Sequence, residues 1–494
     1  MCRSRLGKSV RTLPFAIGAD YDNCHKIAPP PYGGYARIFT SVSGTNGPGM
    51  IQRCSAESPQ ATATVTLPPA VLDIDLASPQ GAALLAATAA AHGPRLAPAA
   101  HRLSRLFLIR SPWAPGLRFA GGQAHHDGGP GALCDPRIFS QSGPSETLEG
   151  ALAACIGEAI EHLSQIERPG DIAQTGCKQD VAALVPQVAM PFIADQLTAA
   201  GRPPHAPLRW MRGRLIADGR DVLVPAGWCV RRSPGRMDLS PPWILGSGVA
   251  AGPGWDWAAS RALLELVERD AAALWWRGGQ RGRPISLHDP ALAEACRLAA
   301  HLRQGESARS CWLLDITTDL DIPCAVAIST DPDGRGVVCG FGARLSLAEA
   351  VRSAILENAQ MELALLLARA KAPEGAASSG ALTATERQHL DLATLIDAGT
   401  CDLLQPTGAC RAPVHVRTPD TGGEALPTVA AALNTAGIAA VLVDLTRPDF
   451  GLPVVRAIAP GLQPAPSPIV TSRLQKTLTE TGGGTRFTRD VPIF

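Results

Sequence analysis

Three separated stretches of this chain each set two oxygen-bearing side chains three residues apart inside an apolar run. They are Glu158 and Glu161 in LEGALAACIGEAIEHLS (148–164), Glu265 and Glu268 in SRALLELVERDAAALWW (260–276), and Glu357 and Gln360 in SLAEAVRSAILENAQMELALLLARA (346–370). Each stretch is expected to be a helix. Residues three apart share a helix face, so each pair aims two oxygens the same way. Burying an ionised carboxylate without a partner costs several kcal/mol, so several buried together call for cations. Mg2+ is the natural candidate, a hard ion that takes oxygen ligands and usually bridges carboxylates to substrate phosphates. Arg269, directly after Glu268, is placed to contact a phosphate. A lone Glu-x-x-Glu is ordinarily a solvated surface pair. Recurrence in three long apolar helices weakens that reading, and from pattern alone both it and a shared acidic site stay open.

Other signals are weaker. His125, His126 and Asp127 sit in GGQAHHDGGPG, read as a glycine-rich loop; adjacent histidines point in different directions and make a poor metal site. Trp275 and Trp276 end an apolar helix and read as core. WMRGR (210–214) and RRSPGR (231–236) read as solvated loops. Thirteen cysteines occur without CxxC pairs, which fits free thiols in a reducing compartment rather than a zinc or disulfide framework.

These residues must be positioned by a large soluble core. The 494 residues are 46% hydrophobic and 18% charged, with 45 basic against 44 acidic side chains. That balance argues against an extended nucleic-acid or anionic-membrane surface. No run of about 18 apolar residues is found and the basic N-terminus lacks an apolar signal stretch, so a cytoplasmic protein is expected. PQGAALLAATAAAH (79–92) reads as a helix. LFLIR (106–110), VAALVPQVAM (181–190), DVLVPAG (221–227), CWLLDI (311–316), CAVAIST (324–330) and AAVLVDL (439–445) read as strands. Residues 374–388 read as an exposed loop before another helix, residues 1 to about 70 as mostly turns and loops, and the segment after Gly461 as mostly irregular.

The segment LGSGVAAGPGWDWAASRALLELVERDAAALWW (245–276) resembles the hallmark of the YcaO family: a Ser/Gly-rich approach, an AAG turn, then a helix with E-x-x-E-R-D and a Trp-rich end. GPSETLEGALAACIGEAIEHLS (143–164), LVPAGWCV (223–230), FGARLSLAEAVRSAILENAQ (341–360) and DLTRPDFGLPVVRAIAPGLQP (444–464) resemble further family segments in the family's order. The resemblance covers about residues 105–465. It implies an α/β (α+β) catalytic domain over 106–494, with mixed sheets and helices presenting carboxylates and an irregular tail from about 465; residues 1–105 are left as an N-terminal extension of unknown role.

The resemblance further implies ATP and Mg2+ as cofactors, held without a Walker loop; none is present. Carried over by motif, Glu158, Glu161, Glu268 and Glu357 would ligate the metal, and Ser260, Glu265, Arg269 and Gln360 would bind the nucleotide. The implied activity is ATP-dependent activation of a peptide-backbone amide, closing Cys, Ser or Thr of a ribosomal precursor peptide into azolines. Thioamide or amidine formation, and a non-catalytic homologue that binds a peptide or partner, are the alternatives. Implied partners are that peptide and a leader-binding protein of the ubiquitin-activating-enzyme-like or TfuA-like kind; a homodimer is left open. Several positions depart from the family pattern: His162 where Arg is usual, Ala154 where Ser is frequent, Pro253 for Asn after the AAG turn, Trp257 in place of the second acidic residue after Asp256, and RDVPIF in place of Pro-x-Pro-x-Pro.

Overall fold

A computed structural model describes residues 71–126, 137–286, 289–305, 309–372, 382–410 and 425–494. The sequence readings on residues 1–70, on Asp127 and on 374–381 lie outside them, and 384–388, read as the end of that loop, are already helical. The first elements are β1 (Val71–Ile74), α1 (Pro79–His92), α2 (Leu96–Ala100), β2 (Leu103–Ile109), β3 (Arg118–His126), β4 (Arg137–Ser145) and α3 (Leu148–Ser164). Next come β5 (Gln174–Gly176), α4 (Ala189–Ala199), β6 (Leu208–Leu215), β7 (Asp221–Pro225), β8 (Val249–Ala251) and α5 (Trp255–Trp276). The third group is β9 (Arg283–Pro284), α6 (Ala293–Arg303), β10 (Ser310–Asp315), β11 (Cys324–Thr330), β12 (Val338–Ala343) and α7 (Leu347–Lys371). The chain closes with α8 (Ala384–Leu395), α9 (Ala425–Thr435), β13 (Val441–Asp444), β14 (Val454–Ile458), α10 (Ser472–Thr481) and α11 (Thr485–Thr488).

The strands form three antiparallel sheets: β1-β2-β3-β4, β12-β11-β10-β9, and β5-β6-β13-β14-β8 with β7 also on β6. The α/β (α+β) class read from the sequence is thus the observed one. No described helix is long and apolar enough to cross a membrane.

Two strands owe their glycines to a helix lying on them. A Cβ on Gly340 of β12 would come within 2.0 Å of the Asn358 nitrogen, and one on Gly342 within 2.2 Å of the Ala350 carbonyl. Helix α7 therefore packs backbone to backbone on β12. Gly143 of β4 does the same for α3, where an added Cβ would sit 2.5 Å from that of Ala154. Ser346 and Thr147 cap these helices, accepting from the Glu349 and Gly150 N–H groups. Helix α5 touches β8, β14, β11 and β12, so it bridges two of the sheets. Trp275 and Trp276 at its end are buried, as expected, and donate to the Leu403 and Val491 carbonyls.

Four sequence readings are corrected. VAALVPQVAM is not a strand but turns leading into α4. Pro186 interrupts it, and the buried residues Val181, Val185, Ala189, Ile193 and Leu197 recur every fourth position, the spacing of helical turns. WMRGR lies in β6 with Trp210 and Met211 buried, and RRSPGR is anchored because Arg232 and Arg236 pair with buried Glu167 at 2.9 Å each. His125 and His126 end β3 rather than occupy a loop. The tail after Gly461 contains α10 and α11, the former capped by Thr471. The nine described cysteines are free thiols, five of them buried.

A carboxylate cluster where three helices meet two sheet edges

Strands β8 and β12 are edge strands, so part of their backbone has no neighbouring strand to pair with. Glutamates of the three motif helices take up N–H groups there. Ala251 donates to Glu161 Oε1 at 2.7 Å, and Gly248, just before β8, donates to Glu265 Oε2 at 3.0 Å. On β12, Phe341 donates to Glu357 Oε2 at 2.8 Å and Ala343 to Glu268 Oε2 at 3.2 Å. Helix α5 thus sends Glu265 to the β8 side and Glu268 to β12, while α3 and α7 add one carboxylate each. A backbone bond on one oxygen fixes the orientation of the other, as partners behind a metal ligand do. In Glu265 and Glu268 that other oxygen, Oε1, faces the Arg269 guanidinium at 3.6 and 3.9 Å. The guanidinium also lies 4.2 Å from the centre of the Phe494 ring.

The charges strain one another. Burial, with the charge of Glu265 added, pushes Glu158 up to about 7. Burial, with Glu268 beside it, pushes Glu357 up to about 8. Glu161 rises well above the usual carboxylate range through burial and the Glu158 charge, and Glu265 rises through burial despite Arg269. Glu158 is set deep among protein atoms, yet its side chain is open to solvent. Neighbouring carboxylates repel one another there.

The donor set fits Mg2+. It consists of hard oxygens in excess of the cations around them. Among the described residues no three His, Cys, Asp or Glu groups lie close enough to cage a metal alone. A Mg2+ ion here would therefore share its coordination with phosphate oxygens and water, the usual arrangement for this ion.

Glu158, Glu161, Glu265, Glu268, Arg269 and Glu357 are brought together. Gln360 lies one turn beyond Glu357, and its amide donates to Ser142 Oγ of β4 at 2.8 Å. Ser260 stands apart: it is fully buried, its hydroxyl donates to the Trp257 carbonyl at 2.8 Å, and it makes no hydrogen bond to the cluster. Sequence reasoning missed the backbone donors Gly248, Ala251, Phe341 and Ala343, as well as Ser142. The AAG turn and the glycines of VCGFGA were the available signals.

Known proteins share this arrangement of the chain. A solved heterocyclase in complex with substrate and cofactor superposes with a TM-score of 0.62 at 21% identity, covering 81% of this chain and 55% of that one. YcaO from Methanopyrus kandleri, bound with AMPPCP and Mg2+, gives a TM-score of 0.50 at 21% identity over 73% of this chain and 86% of its own. The E. coli microcin synthetase McbBCD complex gives 0.51 at 15% identity, covering 72% and 88%. An uncharacterized protein of Methanothermobacter thermautotrophicus is 24% identical over 339 residues, 67% of this chain and 83% of that protein. The chain spans little more than half the length of the first heterocyclase, and the likeness to these solved structures is one of fold. The model of one family, described as YcaO cyclodehydratase, ATP- and Mg2+-binding, matches residues 142–463. That match runs from β4 past β14 and so takes in all three carboxylate helices: the chain belongs to the YcaO family, whose cofactors are ATP and Mg2+.

Proposed function

We propose that this protein uses ATP to activate backbone amides of a ribosomally made peptide and closes Cys, Ser or Thr side chains into azolines. The observation that carries the reading is the set of four glutamates, each held by one backbone N–H, with Arg269 beside two of them. Glu158, Glu161, Glu268 and Glu357 would hold Mg2+, while Glu265, Arg269 and Gln360 would orient the nucleotide. Such neutralisation and positioning are most of what phosphoryl transfer asks of a protein. Bound ATP would supply the phosphorus that takes the amide oxygen, so that oxygen leaves as phosphate rather than hydroxide. The chain needs no nucleophile of its own, because the thiol or hydroxyl comes from the substrate. Ser260, turned into its own helix, is left out of this assignment.

Support for a peptide substrate and a partner protein comes from the heterocyclase solved with substrate and from the microcin synthetase complex solved with pro-MccB17 bound. The leader-binding partner is assigned to a separate protein. Residues 1–105 keep the reading of an extension, although β1 within them pairs with β2.

The test is mass spectrometry of the precursor peptide after incubation with the protein, its partner, Mg2+ and ATP. The proposal expects loss of one water per modified residue, with phosphate release that stops in Glu268→Gln. A peptide made heavier by exchange of oxygen for sulfur would move the assignment to a thioamide product. An unchanged peptide with no ATP consumed would leave a binding homologue.

A further inference from the structure

We infer that Arg344 is a second phosphate-binding cation of this site, on the wall formed by β12 and α7. The inference rests on the nucleotide reading above and adds a residue outside the motif set. Arg344 directly follows Ala343, whose N–H holds Glu268. Its Nη1 donates to the Ala343 carbonyl at 2.7 Å, and its Nη2 donates to Ser353 Oγ at 2.7 Å. Ser353 precedes Glu357 by four residues on α7 and so shares its face. The two tethers therefore place the guanidinium over the Glu357 face, level with the strand residue that anchors Glu268. The carboxylates of Glu268, Glu357, Glu349 and Glu265 act on its charge from around it.

The tethers are both neutral acceptors. Among the described residues no carboxylate comes within ion-pair range of Arg344, whereas Arg269 has two. A guanidinium carries five N–H donors in a rigid fork suited to phosphate. Here two donating nitrogens are spent on holding the fork still, and the charge is left uncancelled by direct contact in a part-buried place. Such a cation is costly unless an anion joins it. A nucleotide phosphate entering between α5 and α7 would be that anion, held by Arg269 from one helix and Arg344 from the other wall.

The test is calorimetric titration of the full chain with Mg·AMPPCP and, separately, with AMP, which lacks the outer phosphates. R344M should weaken Mg·AMPPCP about 10–100-fold, the worth of one charge-assisted hydrogen bond, and leave AMP unchanged. R344K should recover part of the loss. S353A keeps the charge but cuts one tether, and should weaken Mg·AMPPCP less than R344M does. If R344M does not fold, R344K and S353A carry the test, and both must weaken Mg·AMPPCP more than AMP. Wild-type affinity in R344M, or equal loss of both nucleotides, overturns the inference while the nucleotide reading stands. Uptake of neither nucleotide by the wild-type chain sinks that reading, and this inference with it.

Discussion

At the scale of single residues the site is defined by like charges held close together. Glu268→Gln keeps the size of the side chain and an oxygen for the Ala343 N–H, but removes a charge. It should cost nucleotide affinity about 10–100-fold in a binding titration. Burial and neighbouring carboxylates raise Glu158 to about 7 and Glu357 to about 8 from an ordinary 4.5. A carboxyl raised in the folded state binds its proton more tightly folded than unfolded. The folded state then gains from protonation, so stability falls as pH climbs from the unfolded value through the folded one. Thermal melts of the nucleotide-free protein should drop between about pH 4.5 and 8. Glu357→Gln should flatten part of that drop and melt higher than wild type at pH 8. Parallel melting curves for the two proteins would contradict this. The spacing of these glutamates singled them out but left a solvated surface open, and only the family resemblance gave them roles. What holds them was not legible, because a backbone N–H at a sheet edge becomes available only once the sheets have formed.

At the scale of elements, close packing of helices on strands sets where the carboxylates end up. Gly340 is needed because α7 lies against β12 with no room for a Cβ. Gly340→Ala should cost about 1–3 kcal/mol in denaturant unfolding, as overpacking does. It should also weaken nucleotide binding, since it shifts Glu357 from the Phe341 N–H. Full stability in that variant would show that α7 can move without penalty. Strands with a plain alternating or continuous apolar run, such as β11, were readable; every residue of β11 is buried. VAALVPQVAM was misread because a run of aliphatic residues carries strand and helix signals together, and only the four-residue recurrence across Pro186 separates them. Helix α10 went unseen because few of its side chains are buried, Leu474 and Thr477 among them.

At the scale of the whole molecule, three helices bring their carboxylates together at the edges of two sheets. The family's order of segments made this legible before any contact was known. The buried ionic anchors elsewhere, such as Glu167 with Arg232 and Arg236, were not, because arginine-rich stretches look solvated until a carboxylate distant in sequence is folded onto them. If the leader is read by a separate protein, the purified chain should modify its peptide only slowly until that partner is added. High turnover by the chain alone, followed by peptide mass, would refute the division of labour.

The most direct measurement is calorimetry of the nucleotide-free chain with Mg·AMPPCP in buffers of differing ionisation enthalpy near pH 7. If the glutamates of α3, α5 and α7 act together as a Mg2+-nucleotide site, binding is saturable, requires Mg2+ and releases protons as raised carboxyls ionise against the metal. Glu268→Gln would greatly weaken it. Heat no greater than dilution, or binding indifferent to Mg2+ and to Glu268, would contradict the account.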